Sequence, residues 1–452
     1  MEREMNAREK AVKKFYWRLH HWVGLYTGIL IGMLSLTGAL AVFIPEIDSL
    51  VKRHYYQAFA SPLSGQYPMV GSSISALIEE FPEYKSLSVH LPRTQKDVAV
   101  IELTYPENGK TARYEFFVDS GRDKIVGKRL WQNTFANYLR QIHVRLYEGK
   151  WGRQLVGIAG VGLVLVSVTG LLIYGNFMKR QKWPQIRKKM NLRIQMADWH
   201  KVIGISALAF NLVIGLTGAW LGLQPWLMKL FSISTPGQSR LERMVEPEVD
   251  RGMKIDWNMI IPSVNKNFPE LEPSQINIST NGMAAITVRG SVKGQIFERN
   301  TNTIVLSKND YRPLFKYDLK ERPLSEKFYY IQEALHFGDF GGMGLKILYA
   351  FLGLTSGFLS ISGFVIFLYR KNKKSEHNRS STFRMVFLVS LMCILFMSVI
   401  AFISMNLGYS RASSIAGILI NGTICIWLVF EIIIYLRQKM LLEGSGKRRS
   451  GD

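Results

Sequence analysis

The stretch Trp17-Arg18-Leu19-His20-His21-Trp22-Val23-Gly24 stands at the start of the first long apolar segment of the chain. A Thr37-Gly38 pair follows near the far end of the same segment. The arrangement recurs downstream, where His200 opens another apolar segment and Thr217-Gly218 follows it at the same interval. A histidine at the mouth of an apolar helix, followed by a pair of small residues, therefore occurs twice with identical spacing.

A second pattern also occurs twice. His143 precedes Thr169-Gly170, and His336 precedes Ser362-Gly363 at an equal interval. An ionisable side chain beside a membrane span is energetically costly, and for that reason it is a functional candidate. Four histidines at the ends of four apolar segments, in two matched pairs, indicate a duplicated scaffold that binds a cofactor.

The composition indicates a membrane protein. Of the 452 residues 48% are apolar, and the mean hydropathy is slightly positive at +0.06. About 20 apolar residues are needed to cross a hydrocarbon core of about 30 Å. The segments that reach this length are 22–44, 154–176, 202–223, 345–369, 385–406 and 413–436. Both cysteines, Cys393 and Cys425, fall in the last two segments, so the loops hold neither a disulfide nor a thiolate metal site.

The net charge of +23 follows membrane topology and does not indicate a nucleic-acid partner. Lysine and arginine crowd beside alternate ends of the spans, which is the positive-inside pattern. The clusters are Arg8, Lys10, Lys13, Lys14 and Arg18; Lys179, Arg180, Lys182, Arg187, Lys188, Lys189 and Arg193; Arg370, Lys371, Lys373 and Lys374; and Arg437, Lys439, Lys447, Arg448 and Arg449. Both termini are therefore predicted to be cytoplasmic, where the clusters also meet lipid headgroups. The first and third connections are predicted to lie outside.

The two outer connections resemble one another. Each carries apolar residues at helical spacing that end in a Phe-Pro-Glu sequence, Phe81-Pro82-Glu83 in the first and Phe268-Pro269-Glu270 in the second. Strand-like runs and a turn-rich stretch follow in both. The chain is thus predicted to be span, module and span, repeated. Because both copies begin inside, we expect a pseudo-two-fold axis along the membrane normal.

These features resemble the PepSY-associated transmembrane family of bacterial inner-membrane proteins over residues 10–370. The resemblance rests on Leu19-His20-His21-Trp22-Val23-Gly24, the Thr-Gly and Ser-Gly pairs, the His336-Phe337-Gly338 turn and the two α+β modules. The family includes di-haem ferric-siderophore reductases linked to iron uptake through outer-membrane receptors. The resemblance therefore implies an inner-membrane location, a haem-binding core, and ferric iron in a siderophore or similar chelate as the substrate.

The predicted fold is a polytopic α-helical membrane protein, with a duplicated four-helix core, two periplasmic α+β PepSY-like modules and two extra C-terminal spans. Its predicted segments are the cytoplasmic N-terminus (1–21), first span (22–44), first module (45–142), lead-in and second span (143–176), cytoplasmic loop (177–201), third span (202–223), second module (224–335), lead-in and fourth span (336–369), second cytoplasmic loop (370–384), fifth span (385–406), sixth span (413–436) and cytoplasmic tail (437–452). The lead-ins, at 135–147 and 328–337, are expected to be helical and to end in breaks at 149–152 and 338–344.

The first span has room for a flat macrocycle. One stripe of its helix carries His20, Gly24, Gly28 and Gly32. Such a stripe of small residues serves either close helix packing or the approach of a planar cofactor to the backbone. His21 is rotated by about 100° from this stripe, so His20 is the favoured ligand and His21 the alternative.

Topology pairs the four candidate ligands. His20 and His200 lie at cytoplasmic ends of spans, whereas His143 and His336 lie at the outer face. Imidazole nitrogen is a common axial ligand of haem iron. The sequence therefore predicts two haem b groups, each iron bound by one of these pairs, and non-covalently attached because no Cys-x-x-Cys-His motif is present. A mononuclear zinc or copper site would use the same histidines but lacks carboxylate or thiolate partners nearby.

The favoured function is an electron-transfer enzyme of the ferric-chelate reductase type. The chain has no phosphate loop and no dinucleotide fingerprint, so its electrons are expected from quinol or a cytoplasmic flavoprotein. One alternative is a haem-free regulatory or binding protein that uses its PepSY-like modules. A transporter is a further alternative, but the spans lack the paired acidic residues of ion-coupled carriers.

A basic rim is also expected around the outer histidines, where it would attract an anionic ferric complex. The residues of this predicted rim are Arg140, Arg145, Lys150, Arg153, Lys320, Arg322, Lys327 and Lys346. The alternative for these residues is contact with lipid phosphates of the outer leaflet.

Overall fold

The computed structural model describes most of residues 2–371. The described ranges are 2–56, 68–92, 97–107, 110–147, 149–177, 186–187, 190–233, 254–278, 285–292, 294 and 299–371. The predicted fifth and sixth spans, 385–406 and 413–436, lie outside the described residues.

Ten α-helices are found in these ranges. They are α1 (Glu2–Ala41), α2 (Ile44–Tyr56), α3 (Gly71–Glu80), α4 (Phe135–Arg145), α5 (Gly149–Phe177), α6 (Leu192–Ser206), α7 (Leu208–Leu230), α8 (Trp257–Asn267), α9 (Leu324–Phe337) and α10 (Gly342–Lys371). Four helical stretches are long and apolar enough to cross a membrane: Lys10–Ala41, Lys150–Tyr174, Leu208–Leu230 and Asp339–Phe367. They correspond to the first four predicted spans.

These four helices form a bundle. Helix α1 packs against α5 on one side and α10 on the other, α5 packs against α7, and α6 extends the α7 side to contact α10. The α5–α7 contact is close because glycines meet across it. A methyl group added at Gly160 would lie 2.5 Å from the backbone nitrogen of Ala219, and one at Gly222 would overlap the backbone of Gly157. Small residues thus bring these two backbones together, as in other membrane helix pairs.

The strands of both modules form a single antiparallel sheet. They are β1 (Ser86–His90), β2 (Ala99–Glu107), β3 (Lys110–Asp119), β4 (Lys124–Leu130), β5 (Leu271–Ile278), β6 (Ala285–Val292), β7 (Asn302–Ser307) and β8 (Pro313–Tyr317). The strand order is β4-β3-β2-β1-β5-β6-β7-β8. The modules meet where β1 pairs with β5, with Ser88 opposite Asn277 and Val89 opposite Ile276. The sequence predicts two modules but not this junction.

One face of the sheet is covered by α3 and α8. Leu77 of α3 and Ile260 of α8 are fully buried in one apolar cluster with Leu87, Ile101 and other strand residues. Burying a side chain of this size stabilises a fold by about 1.5–3 kcal/mol. Because a single cluster contains residues from both modules, each module contributes to the stability of the other.

Local breaks separate α4 and α9, which carry His143 and His336, from the spans that follow them. Leu146 follows the last residue of α4 and Gly338 follows the last residue of α9, and both have left-handed backbone. The lead-ins are therefore helical, as predicted. The first break falls at Leu146 and Tyr147, earlier than predicted, because residues 149–152 already belong to α5. Ala207 interrupts α6 and α7 within the predicted third span, a break with no signal in the sequence.

Helix α2 connects the membrane bundle to the sheet. The carboxylate of Asp48 accepts a hydrogen bond of 2.9 Å from Arg129 on β4, and Arg129 also donates to Glu115 on β3 at 2.6 Å. On the bundle side, the Nζ atom of Lys346 donates to Glu46 at 2.6 Å. Ion pairs on α2 therefore join two parts of the fold that are far apart in sequence.

Candidate functional site

The four predicted histidines lie in two pairs. The ring centroids of His20 and His200 are 6.3 Å apart with an angle of 88° between the planes. Those of His143 and His336 are 6.4 Å apart with an angle of 35°. These are the pairs that topology predicts from the sequence. His20 and not His21 faces His200, because the His21 ring stacks on Trp17 and lies near Phe367.

Each histidine is held by the hydroxyl of a different span. The Nδ1 atom of His20 lies 3.2 Å from Oγ1 of Thr169, and that of His143 lies 3.1 Å from Oγ1 of Thr37. In the second half of the chain, His200 lies 2.9 Å from Oγ of Ser362 and His336 lies 2.9 Å from Oγ1 of Thr217. The partners are therefore exchanged within each half of the chain. The Thr-Gly or Ser-Gly pair that follows one histidine in sequence contacts the other histidine of that half.

The hydroxyls determine which ring nitrogen carries the proton. Each one donates its own proton to a helix carbonyl, for example Thr37 to Met33 at 2.9 Å and Thr217 to Val213 at 2.7 Å. A hydroxyl has a single proton, so toward the imidazole it accepts. Nδ1 is then the protonated nitrogen, and Nε2 keeps the lone pair that a metal ligand needs. This assignment follows from the hydrogen-bond network.

The same relation holds at the inner pair. Thr169 donates to the carbonyl of Leu165 at 2.6 Å, and Ser362 donates to Leu359 at 3.1 Å. The carbonyl of Val166 lies 3.0 Å from Nδ1 of His20 and is a second acceptor for the same proton. A hydrogen bond on the far nitrogen of a ligand histidine orients the ring and raises its basicity.

The glycine of each pair makes room for the imidazole. A Cβ atom at Gly38 would lie 2.9 Å from Cε1 of His143, and one at Gly170 would lie 3.2 Å from Cε1 of His20. The corresponding distances are 3.3 Å from Gly218 to His336 and 3.6 Å from Gly363 to His200. The Thr-Gly signature thus has two parts: the hydroxyl binds the ring nitrogen, and the missing side chain lets the ring approach.

The spacing of the paired rings fits one metal ion between two imidazoles. With a metal–nitrogen bond of about 2.0 Å and each nitrogen about 1.1 Å from its ring centroid, the centroids would stand about 6 Å apart. Neither pair has further protein ligands: among the described residues, no group of three or more His, Cys, Asp or Glu side chains is placed to hold a metal. Two imidazoles alone therefore suit a metal whose remaining ligands come from a macrocycle.

The interior of the bundle also leaves space beside the first span. Gly28 is buried, yet a Cβ atom added there would meet no other atom within 4 Å. Along the same stripe, a Cβ at Gly24 would lie 3.7 Å from Val166 and one at Gly32 would lie 3.4 Å from Ser360. A gap of at least a methyl group thus lies at Gly28, between His20 and Thr37 on α1, whereas the positions of Gly24 and Gly32 are in contact with neighbouring helices. The residues present fit a flat cofactor.

The protein environment of His143 and His336 disfavours their protonated forms. Burial lowers the pKa of His143 to about 4 and the pKa of His336 to about 3. The positive charge of Arg299, and that of His143 whenever it is protonated, lower the pKa of His336 further. A neutral imidazole is the form that binds metal, so this environment favours ligation over protonation.

Part of the predicted basic rim has structural partners. Lys346 pairs with Glu46, and Arg153 donates to the carbonyl of Leu221 at 2.7 Å. Arg322 stacks on the ring of Tyr317. These contacts hold helices and strands together. Arg140 lies one helical turn before His143 on α4, and Arg145 lies two residues after it. Arg299 contacts the ring of Phe337 next to His336, although the sequence pattern does not single Arg299 out.

The fold and the paired histidines define a membrane protein in which an apolar helical bundle carries an α+β sheet domain. The chain belongs to the family of the PepSY-associated TM region, which it matches over residues 17–370. It is similar to an uncharacterized protein of Pseudomonas aeruginosa, with 26% identity over 255 residues. That alignment covers 52% of this chain and 63% of the relative, so the chain spans about 63% of the length of the curated relative it matches.

Proposed function

We propose that this protein is an inner-membrane electron-transfer protein that binds two haem b groups and reduces a ferric chelate on the periplasmic side, in the service of iron uptake. The observation that carries the proposal is the pair of facing imidazoles at each end of the bundle, 6.3 and 6.4 Å apart, with Nδ1 of every ring bound to a hydroxyl. His20 and His200 would hold the inner haem, and His143 and His336 the outer one.

Bound haem would supply a one-electron carrier at each pair, which is the chemistry that transfer across a membrane to ferric iron requires. The positions of the histidine pairs would set the distance between those carriers. On α1, His20 belongs to the inner pair, and Thr37, toward the other end of the same helix, holds a member of the outer pair. At about 1.5 Å of rise per residue, the two pairs are separated by roughly 25 Å along the helix, most of the thickness of a hydrocarbon core.

We infer that the two halves of the chain are copies of one span–module–span unit, because each half contributes one histidine to each pair and contains the same exchange of hydroxyl partners. Both termini would be cytoplasmic, and the inner pair would receive electrons from quinol or a flavoprotein. The basic clusters beside the inner ends of the spans support this orientation.

The test is the visible spectrum and haem content of the purified protein. We expect haem bands and two haems per chain by a pyridine haemochrome assay. His200→Ala should remove the inner haem and His336→Ala the outer one, each lowering haem by about half, because one axial ligand of two is lost. His90→Ala, whose ring pairs with Glu102 on the sheet, is the matched control and should keep both. A colourless wild-type protein would favour the haem-free regulatory alternative.

A further inference from the structure

An excess of arginine surrounds the outer histidine pair. Arg140 stands one helical turn before His143 on α4, so the two share one side of the helix. Arg140 interacts electrostatically with Arg145, Arg113 and Arg299. Among the described residues, Glu102 pairs with Arg113, while Asp339 and Glu333 pair with Arg299 at 2.8 and 3.8 Å.

Arg299 is connected to the outer pair through the ring of Phe337. Its guanidinium lies 4.0 Å from the ring centroid of Phe337, and the Phe337 ring makes an edge contact with His336 at 5.7 Å. A stacked guanidinium keeps its planar donors at the edge, where they can bind a carboxylate through two parallel hydrogen bonds.

Arg140 and Arg145 have no ion pair among the described residues, and both reach solvent. Partial burial lowers the pKa of Arg140, and the positive charges of Arg145, Arg113 and Arg299 lower it further. Because these charges have the same sign, they repel one another. A bound anion would relieve the repulsion, which gives the cluster an affinity that isolated surface arginines lack.

We propose that Arg140, Arg145 and Arg299 form a carboxylate-binding site beside the outer histidine pair. This inference rests on the proposed function, in which the substrate is a ferric chelate. The site would restrict that substrate to chelates with anionic carboxylate groups. The same chemistry has a second source, the carboxylate side chains of a haem bound at that pair. The two sources are separated by experiment.

The first measurement uses a redox-inert ligand and the full-length protein in detergent. Gallium(III) citrate, which carries carboxylates, is titrated by calorimetry beside a cationic gallium trihydroxamate. We expect the citrate complex to bind and the cationic complex to bind much more weakly. Arg140→Gln and Arg145→Gln should each weaken citrate binding by about tenfold. Raising the ionic strength should weaken it as well.

Arg122→Gln is the matched control, because Arg122 lies on the exposed turn between β3 and β4, on the side of α3. It should leave binding unchanged. Arg299→Gln also removes an ion pair with Asp339, so the Arg140 and Arg145 variants carry the test if that variant fails to fold.

The second measurement is the haem content and midpoint potential of the same variants. Weaker gallium citrate binding with unaltered haem identifies an external chelate. Unaltered gallium binding with a lowered potential or loss of the outer haem identifies the haem carboxylates. If neither changes, or if both gallium complexes weaken equally, the carboxylate site is overturned. Citrate binding by a haem-free protein would contradict the proposed function alone, and haem-dependent reduction without arginine dependence would contradict this inference alone.

Discussion

At the scale of single residues, each candidate ligand is positioned by a hydroxyl that has already donated its proton to the helix backbone. Thr37 can only accept from His143, and Thr217 can only accept from His336. Serine and threonine in apolar helices commonly donate to the carbonyl one turn back. Here that ordinary bond also selects the tautomer of an imidazole on another helix. The adjacent glycine then determines how close that imidazole comes.

The glycine distances lead to a prediction with an internal control. In Gly38→Ala, the new Cβ would lie 2.9 Å from His143, so the ring must move, at a cost of about 1–3 kcal/mol. In Gly363→Ala, the Cβ would lie 3.6 Å from His200, which is ordinary contact. We expect Gly38→Ala to lose about half of the bound haem and Gly363→Ala to keep all of it, by haem-to-protein ratio. Equal losses in both variants would contradict the positioning role of Gly38.

Among the helices and strands, α2 links the bundle to the sheet through ion pairs, and those to the sheet form a buried network. Arg129 is 6% exposed, and it bonds to carboxylates on α2 and β3. Removing one partner from such a network is strongly destabilising because a charge remains buried without compensation. The network also includes Lys52, which lies 3.0 Å from Asp48.

Asp48 makes the strength of this link dependent on pH. Burial raises the pKa of Asp48, but its hydrogen bond to Arg129 and the charge of Lys52 outweigh burial, and the net pKa is lowered. A lowered pKa in the folded state contributes stability above the unfolded value of about 3.9, and that stability is lost as pH falls through the folded value. We expect the free energy of unfolding of Asp48→Asn at pH 7 to be lower than that of wild type by about 2 kcal/mol, so that the variant unfolds at a lower temperature.

The difference between wild type and Asp48→Asn should shrink as the pH falls below about 4, where Asp48 of the unfolded chain takes up its proton, and should be lost once the pH falls below the lower pKa of folded Asp48. Circular dichroism melts at several pH values measure it. Glu79→Gln, on the exposed side of α3, is the control and should melt like wild type at every pH. A gap that stays constant down to pH 3 would show that the charge of Asp48 does not stabilise the fold.

What the sequence predicts at this scale depends on how local the signal is. The spacing of Ile74, Leu77 and Phe81 predicts α3 because helical periodicity lies within one segment. The junction of β1 and β5 joins strands from the two halves of the chain, and the sequence of neither strand identifies the strand with which it pairs. The exchange of hydroxyl partners between the histidines likewise depends on contacts between distant segments. The repeated spacing shows that His20 and Thr37 belong to one pattern, yet it places them at opposite ends of a helix and leaves their partners to the tertiary packing.

At the scale of the whole molecule, the joined sheet constrains the topology. Helix α1 leads into the module of β1, and α7 leads into the module of β5. Because β1 and β5 are hydrogen-bonded neighbours, both modules stand on the same side of the bundle. An inverted arrangement of the two halves is therefore excluded for the described residues. The sheet alone leaves the choice of side open, and the basic clusters favour a cytoplasmic location for the opposite side, since cytoplasmic connections carry the excess of lysine and arginine.

Reporter fusions can test both that the two modules share one side of the membrane and that this side is the periplasm. Fusions after Ser120 and after Asn300, on turns of the two modules, should report a periplasmic location. Fusions after Lys189 and after Lys374, which lie outside the described residues, should report a cytoplasmic one. If both module fusions read cytoplasmic, the orientation is wrong, and His143 and His336 would form the inner pair. If one module reads periplasmic and the other cytoplasmic, the β1–β5 pairing itself is contradicted, because strands on opposite sides of a membrane cannot share hydrogen bonds.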